Sequence, residues 1–73
     1  MTHKTVFKMD RYDEKLRCYI VYELFAGKLP VYLYKCYLKG DTAVLYPFKS
    51  LVKGEKARDK QTMSVFSIVR GGA

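Results

Sequence analysis

The sequence predicts a mainly-β protein, one small domain built on a curled antiparallel sheet of five strands. A length of 73 residues suits a single domain with a small core. The composition, 49% hydrophobic and 29% charged, is typical of a folded chain rather than a disordered one. Between residues 5 and 48, β-branched, aromatic and alternating apolar residues dominate, which favours strands.

The first two predicted strands are residues 5–9 and 16–25, separated by a polar turn at residues 10–15. Alternation at a period of two is typical of a half-buried strand, and the second strand shows it clearly. Its even positions form an unbroken apolar or semi-apolar face: Leu16, Cys18, Ile20, Tyr22 and Leu24. We therefore expect this face to be core and the odd, mixed face to be exposed.

Short turns bound the third and fourth predicted strands, residues 31–38 and 43–47. A break is predicted before the third strand, because Gly27 can adopt positive φ and Pro30 has no N–H donor. Gly-Asp at residues 40–41, between two β-rich runs, is typical of a hairpin turn.

The sequence changes character after Pro47, which cannot donate to a ladder and so ends its strand or lies at a sheet edge. Residues 49–60 carry five basic and two acidic side chains without an apolar stripe, which predicts a solvated loop with at most one helical turn. Residues 63–69 alternate again and predict a fifth strand that closes the sheet. We expect a domain over residues 1–69 and a flexible tail over residues 70–73.

Five short strands with the usual twist predict a curled sheet or partly open barrel of SH3-like or OB-like size. The alternative is an α+β fold, in which residues 48–60 form a helix packed on a four-stranded sheet. The predicted core residues are Leu16, Cys18, Ile20, Leu33, Leu45, Val65 and Val69.

Several functions are disfavoured by what the sequence lacks. No apolar run is long enough to span a bilayer, and the N-terminus does not resemble a signal peptide. Two cysteines, Cys18 and Cys36, suit a reducing compartment, so we expect a cytoplasmic protein with free thiols and no membrane partner.

Catalysis is not expected either. His3 is the only histidine and lies at the terminus, and no phosphate-cradling glycine motif or zinc-ligand spacing occurs. We therefore expect no catalytic residue, no cofactor, no metal and no small-molecule ligand.

Positive charge is the strongest functional signal. The net charge is +7, of which residues 1–25 contribute +1 and residues 26–73 contribute +6. A one-sided basic surface attracts polyanions. Tyrosines accompany the basic residues in the strands, where Tyr with Lys or Arg could stack bases while neutralising phosphate.

These observations predict a binding protein for nucleic acid. The alternative is a small protein–protein interaction module or inhibitor that caps an acidic surface of a larger protein, since Tyr and Arg are also enriched at interface hot spots. The predicted partner-binding residues are Arg17, Tyr19, Lys28, Lys35, Tyr37, Lys39, Lys49, Lys53, Lys56, Arg58 and Lys60.

The C-terminus suggests a minor alternative. A strand ending in Val69-Arg70-Gly71-Gly72, followed by Ala73, resembles the end of a ubiquitin-like precursor. The resemblance implies a modifier whose diglycine is exposed by trimming and activated as an acyl donor. Such β-grasp domains also need a helix between the second and third strands, where residues 16–38 read as strand, turn and strand.

Overall fold

The computed structural model describes residues 5–70 and consists of one six-stranded sheet with a short 3₁₀ turn. The strands are β1 (Thr5–Asp13), β2 (Cys18–Phe25), β3 (Leu29–Lys39), β4 (Thr42–Ser50), β5 (Gln61–Ser64) and β6 (Val69–Arg70), and the 3₁₀ turn is Val65–Ser67. Their order in the sheet is β5-β4-β3-β2-β1-β6. All neighbours are antiparallel except β1 and β6, which are parallel. The predicted mainly-β curled sheet is confirmed, with six strands instead of five.

The α+β alternative is wrong for the described residues, because residues 51–60 form bends, a turn and irregular chain rather than a helix. No helix lies between β2 and β3 either, so the fold does not favour a β-grasp modifier. The residues that carry the ubiquitin-like resemblance, Gly71, Gly72 and Ala73, lie outside the described part, as does His3. Arg70, which the sequence predicts to lie in a flexible tail, belongs to β6 and pairs with Met9 of β1.

Local chemistry explains the first hairpin. β1 continues through Asp13, so the predicted turn at residues 10–15 starts too early. The Asp13 carboxylate accepts hydrogen bonds from the backbone N–H groups of Lys15 (2.9 Å) and Leu16 (3.0 Å), which closes the turn. Aspartate favours such turns because its short side chain can reach the backbone two and three residues ahead.

The next two hairpins turn where glycine was expected to allow it. Ala26 and Gly27 have φ values of 54° and 72°, and the N–H of Lys28 donates to the carbonyl of Phe25 at 3.0 Å. Gly40 has a φ of 61° in a two-residue turn that pairs Lys39 with Thr42. Positive φ at the first turn position, as at Gly40, or at two consecutive positions, as at Ala26 and Gly27, matches the twist of the flanking strands.

Pro47 lies inside β4, not at its end. β5 pairs only with residues 42–45 of β4, so the rest of β4 is an edge of the sheet. At this edge the missing N–H of Pro47 leaves no hydrogen bond to a neighbouring strand unmade. A register shift occurs at the same place, between the pairs Leu33–Lys49 and Tyr34–Pro47. The sequence-based alternative that Pro47 lies at an edge is therefore confirmed.

The predicted fifth strand, residues 63–69, is two strands on opposite edges of the sheet. β5 pairs with β4, whereas β6 pairs with β1. Five Cα steps separate Ser64 from Val69 and can span at most about 18 Å. The sheet must therefore curl until its edges approach each other, and Ile68, only 6% exposed, packs into the core from this crossover.

The main core lies on the face of the sheet that receives Ile68, here called the inner face. Cross-strand pairing places Val21 beside Tyr34 and places Cys36 beside Leu45 on this face. The buried cluster comprises Val21, Tyr34, Cys36, Ala43, Leu45 and Ile68, with Phe7, Met9, Tyr19, Tyr32 and Met63 packed against it. The odd positions of β2 thus supply this core, in contrast to our prediction.

The predicted core set is correct only in part. Leu45 belongs to the main cluster, and Cys18 and Ile20 are buried on the opposite face. Leu16, Leu33 and Val65 are half-buried, and Val69 is 50% exposed. For β2, the charged residues Arg17 and Glu23 made the odd positions look polar and obscured the contribution of Val21 to the core. Val69 is exposed because residues 63–69 are two separate strands rather than one.

Both cysteines are buried and unbridged. Burial raises the pKa of the Cys36 thiol to about 11, and the nearby Cys18 adds to the effect. The neutral thiol is therefore the form that the core accommodates.

Removing a core side chain should unfold much of the population. Leu45→Ala is expected to cost about 2–5 kcal/mol of unfolding free energy, because Leu45 is fully buried and the cavity would persist. The matched control is Leu29→Ala, at a position 55% exposed, which should cost less than about 1 kcal/mol. Urea unfolding monitored by circular dichroism measures both, and equal losses would contradict this placement of the core.

Stability should fall at alkaline pH through Cys36. The unfolded thiol loses its proton near its ordinary pKa of 9.0, whereas the folded thiol keeps it until about 11. Raising the pH from 9 to about 11 therefore lowers the free energy of unfolding, by about 2 kcal/mol once the pH reaches the pKa of the folded thiol. Cys36→Ala lacks this contribution, so its stability should decline less than that of the wild type between those pH values. Parallel declines would show that the thiol ionises equally in both states.

Candidate functional site

The face opposite the inner face, here called the outer face, gathers lysines and aromatic rings from four strands. The two-residue turn after β3 sets a register in which Lys35 lies beside Tyr46. Alternation then places Tyr37 on the same face as Lys35. Across the sheet, Lys8 pairs with Tyr22, Tyr22 with Leu33, and Leu33 with Lys49.

Five side chains form a compact group on this face, the aromatic–lysine cluster: Lys35, Tyr37, Tyr46, Phe48 and Lys60. The Lys35 ammonium lies 4.8 Å from the centre of the Phe48 ring, and the Lys60 ammonium lies 5.9 Å from that of Tyr46. The Tyr37 and Tyr46 rings meet edge to face, with centres 5.7 Å apart. The rings are 43%, 44% and 47% exposed at Tyr37, Tyr46 and Phe48, so the cluster presents open aromatic surface.

Lys35, Tyr37 and Tyr46 line an open depression of about 490 Å³. Desolvation, and after it the electrostatic interaction with Cys18, raises the pKa of the Tyr37 hydroxyl above its ordinary value. The hydroxyl is therefore protonated at neutral pH. A ligand in this depression meets a cation, two ring surfaces and a neutral phenol.

A second depression, of about 300 Å³, lies at the other side of the outer face. It is lined by Lys8, Asp10, Tyr22, Leu24, Gly27, Lys28 and Pro30. Asp10 is its one carboxylate, and the Arg11 guanidinium pairs with it at 2.9 Å. The two lysines there have no ion-pair partner among residues 5–70.

The arginines and lysines have different roles within the described part of the chain. Its salt bridges are made by Arg11 and Arg58, and none of its lysines takes part in one. The lysine charges therefore remain available for a polyanionic partner.

Arg58 ties the 51–60 loop to the inner face. Its guanidinium donates to both carboxylate oxygens of Glu23 at 3.1 Å, and also to the carboxylate of Glu55 and to the backbone carbonyl of Lys56. The Tyr34 hydroxyl donates to Glu23 at 2.6 Å, and the Arg58 guanidinium lies 5.2 Å from the centre of the Tyr32 ring. The Glu23 side chain is only 12% exposed. Its ion pair and hydrogen bonds therefore replace the water contacts that the carboxylate has lost.

These contacts shift the ionisation of two groups. Burial, followed by the hydrogen bond to Glu23, raises the pKa of Tyr34 above its ordinary value. Hydrogen bonds to Glu23 and Glu55 raise the pKa of Arg58. Arg58 is therefore a permanent cation bound to the protein itself, which corrects the prediction that it is a free loop cation for a partner.

The other predicted partner-binding residues are distributed unevenly. Lys35, Tyr37, Lys49 and Lys60 meet on the outer face, and Lys28 lines the second depression. Lys39 is exposed at the end of β3, and Lys53 and Lys56 are exposed in the 51–60 loop. Arg17 is exposed in the β1–β2 turn, with a φ of 55°.

Tyr19 is misplaced by the prediction. It pairs with Cys36, packs against the main core and meets Tyr12 edge to face at 5.0 Å, so it does not share a face with Lys35 and Tyr37. The register of β2 on β3 decides this, since a shift of one residue exchanges the two faces.

Sequence reasoning missed four members of the outer face: Lys8, Tyr22, Tyr46 and Phe48. A signal for Tyr46 was present. A two-residue turn at residues 40–41 pairs Lys39 with Thr42, and counting four residues away from the turn on each strand pairs Lys35 with Tyr46. Phe48 could not be found in this way, because the irregularity beside Pro47 shifts the register.

Comparisons with protein-family models, curated proteins and solved structures found no match. Across residues 5–70, no group of three or more histidine, cysteine or carboxylate side chains is arranged to hold a metal ion. The same part of the chain has no helix with the length and hydropathy needed to cross a membrane.

The Arg58 contacts should stabilise the fold more than a surface ion pair does. Arg58→Ala leaves the Glu23 carboxylate inside without its cation, and should cost about 2–3 kcal/mol. The matched control is Arg11→Ala, whose side chain is 60% exposed and whose loss should cost less than about 1 kcal/mol. Urea unfolding compares the two variants. If both lose the same amount, the Glu23–Arg58 pair contributes no more than a solvated one.

Proposed function

We propose that the protein is a non-catalytic, cytoplasmic nucleic-acid-binding protein that uses the outer face of its sheet. Lysines there contact phosphates, and the aromatic–lysine cluster stacks against bases. The observation that carries this proposal is the pairing of unneutralised lysines with exposed rings on one face, at Lys35 with Phe48 and at Lys60 with Tyr46.

The chemistry of the cluster suits this ligand. The cation–π interaction between an ammonium group and a ring contributes about 0.5–1 kcal/mol at an exposed site. This interaction is weak enough for the ammonium group to bind a phosphate instead. Each base stacked on a ring contributes about 1–3 kcal/mol. The ion-paired Arg11 and Arg58 are not needed for binding, since the free lysines supply the charge.

Reversing the charge of the cluster should weaken binding strongly without unfolding the protein. Lys35→Glu with Lys60→Glu should weaken binding of a fluorescent oligonucleotide by more than about tenfold and flatten the dependence of log affinity on log salt, because phosphate contacts are lost. The control is Lys15→Glu with Lys53→Glu, an equal change of charge at two exposed turn positions. Fluorescence anisotropy at two salt concentrations gives both quantities.

Unfolding curves of the two double variants must match that of the wild type for the comparison to count. Equal binding by the cluster variant and the wild type would refute the proposal. An equal loss of oligonucleotide affinity in both variants would show that binding depends on net charge and not on the aromatic–lysine cluster.

A protein partner is the second candidate, and one observation favours it. Phe66, on the 3₁₀ turn, is 82% exposed, and the nearby Val69 is 50% exposed. Exposed apolar side chains of this size are typical anchors at interfaces. The protein would then be an interaction module or inhibitor that caps an acidic surface. Phe66→Ala distinguishes the candidates, because it should weaken a protein complex and leave oligonucleotide binding unchanged.

A further inference from the structure

The two depressions of the outer face are joined by a continuous path across the strands. From Tyr46 on β4 the path passes to Lys35 and Leu33 on β3, then to Tyr22 on β2 and Lys8 on β1. The first depression opens at the β4 end, and the second opens at the β1 end. Both ends carry an aromatic ring and a lysine without an ion-pair partner in the described chain.

Resting on the proposed function, we propose that the ligand is a single strand of nucleic acid that lies across the sheet and occupies both depressions. One or two bases stack in the aromatic–lysine cluster, and another lies against Tyr22 in the second depression. Lys35 and Lys49 neutralise the phosphates between them, and Lys8 with Lys28 hold the far end.

The exposed rings favour a single strand over a duplex. Duplex bases are stacked on each other, so their faces are closed to a protein ring, whereas an unpaired base has a free face. Proteins that read a duplex insert a helix or a two-stranded ribbon into a groove. The described residues contain no α-helix, and the outer face offers exposed rings on β3 and on the unpaired edge of β4.

The dimensions of the path agree with a short binding site. Three strand intervals separate β4 from β1, which corresponds to about 14 Å at the usual spacing. At the spacing of about 3.4 Å per phosphate along one stacked strand, this length corresponds to about four nucleotides, the lower end of the range for small β-barrel binders. Asp10, held by Arg11, places one negative charge at the far end and limits how closely a phosphate approaches there.

The test uses a fluorescent oligothymidylate longer than the path, about twelve nucleotides, and the same strand annealed to its complement. The wild type should bind the single strand at least about tenfold more tightly than the duplex at the same salt. Equal or tighter binding of the duplex would overturn the inference while leaving the proposed function standing. Binding of neither at low salt would refute both.

The far end is tested by Lys8→Ala with Lys28→Ala. This variant should bind the long strand about tenfold more weakly and with a flatter salt dependence, since about 0.7 of a counterion is released per phosphate contact on a single strand. Binding of a dinucleotide, which fits in the cluster alone, should be unchanged. Lys53→Ala with Lys56→Ala removes the same charge from the 51–60 loop and should leave long-strand affinity nearly as in the wild type. If the two double variants bind the long strand equally, the second depression is not part of the site.

Discussion

The Glu23 carboxylate on the inner face is the constraint on which the rest of the structure depends. A charge in this position must be paired and hydrogen-bonded, or its burial costs several kcal/mol. Arg58 and the Tyr34 hydroxyl supply those contacts. To do so, the 51–60 loop must bring Arg58 to the inner face, where its guanidinium also lies over the ring of Tyr32, which packs against the core.

The two faces of the sheet then have different roles. The inner face receives Ile68 from the crossover and the Arg58 side chain from the 51–60 loop. Cys18 and Ile20 are buried on the outer face as well. The arrangement leaves lysine ammonium groups and aromatic rings together at the surface.

The division between arginine and lysine has a physical basis. The planar guanidinium can donate two parallel hydrogen bonds to a carboxylate, so Arg58 suits the partly buried position beside Glu23. A lysine ammonium is strongly hydrated and gains little from a surface carboxylate. Net charge alone cannot separate these roles, which is why a count of basic residues overestimates the cations available to a partner.

The sequence by itself determined the class of the fold, the main strands and the positions of the glycine turns, because alternation, β-branched residues and glycine act locally. It also indicated Lys35, Tyr37 and Lys60 as members of a basic, aromatic surface. Only the tertiary structure decided which face is core, since the charge that made one face look polar is neutralised by Arg58, 35 residues away. It alone separated β5 from β6 and placed Tyr46 and Phe48 beside the lysines. These outcomes depend on register and on sheet closure, which arise from contacts between strands and not from any one segment.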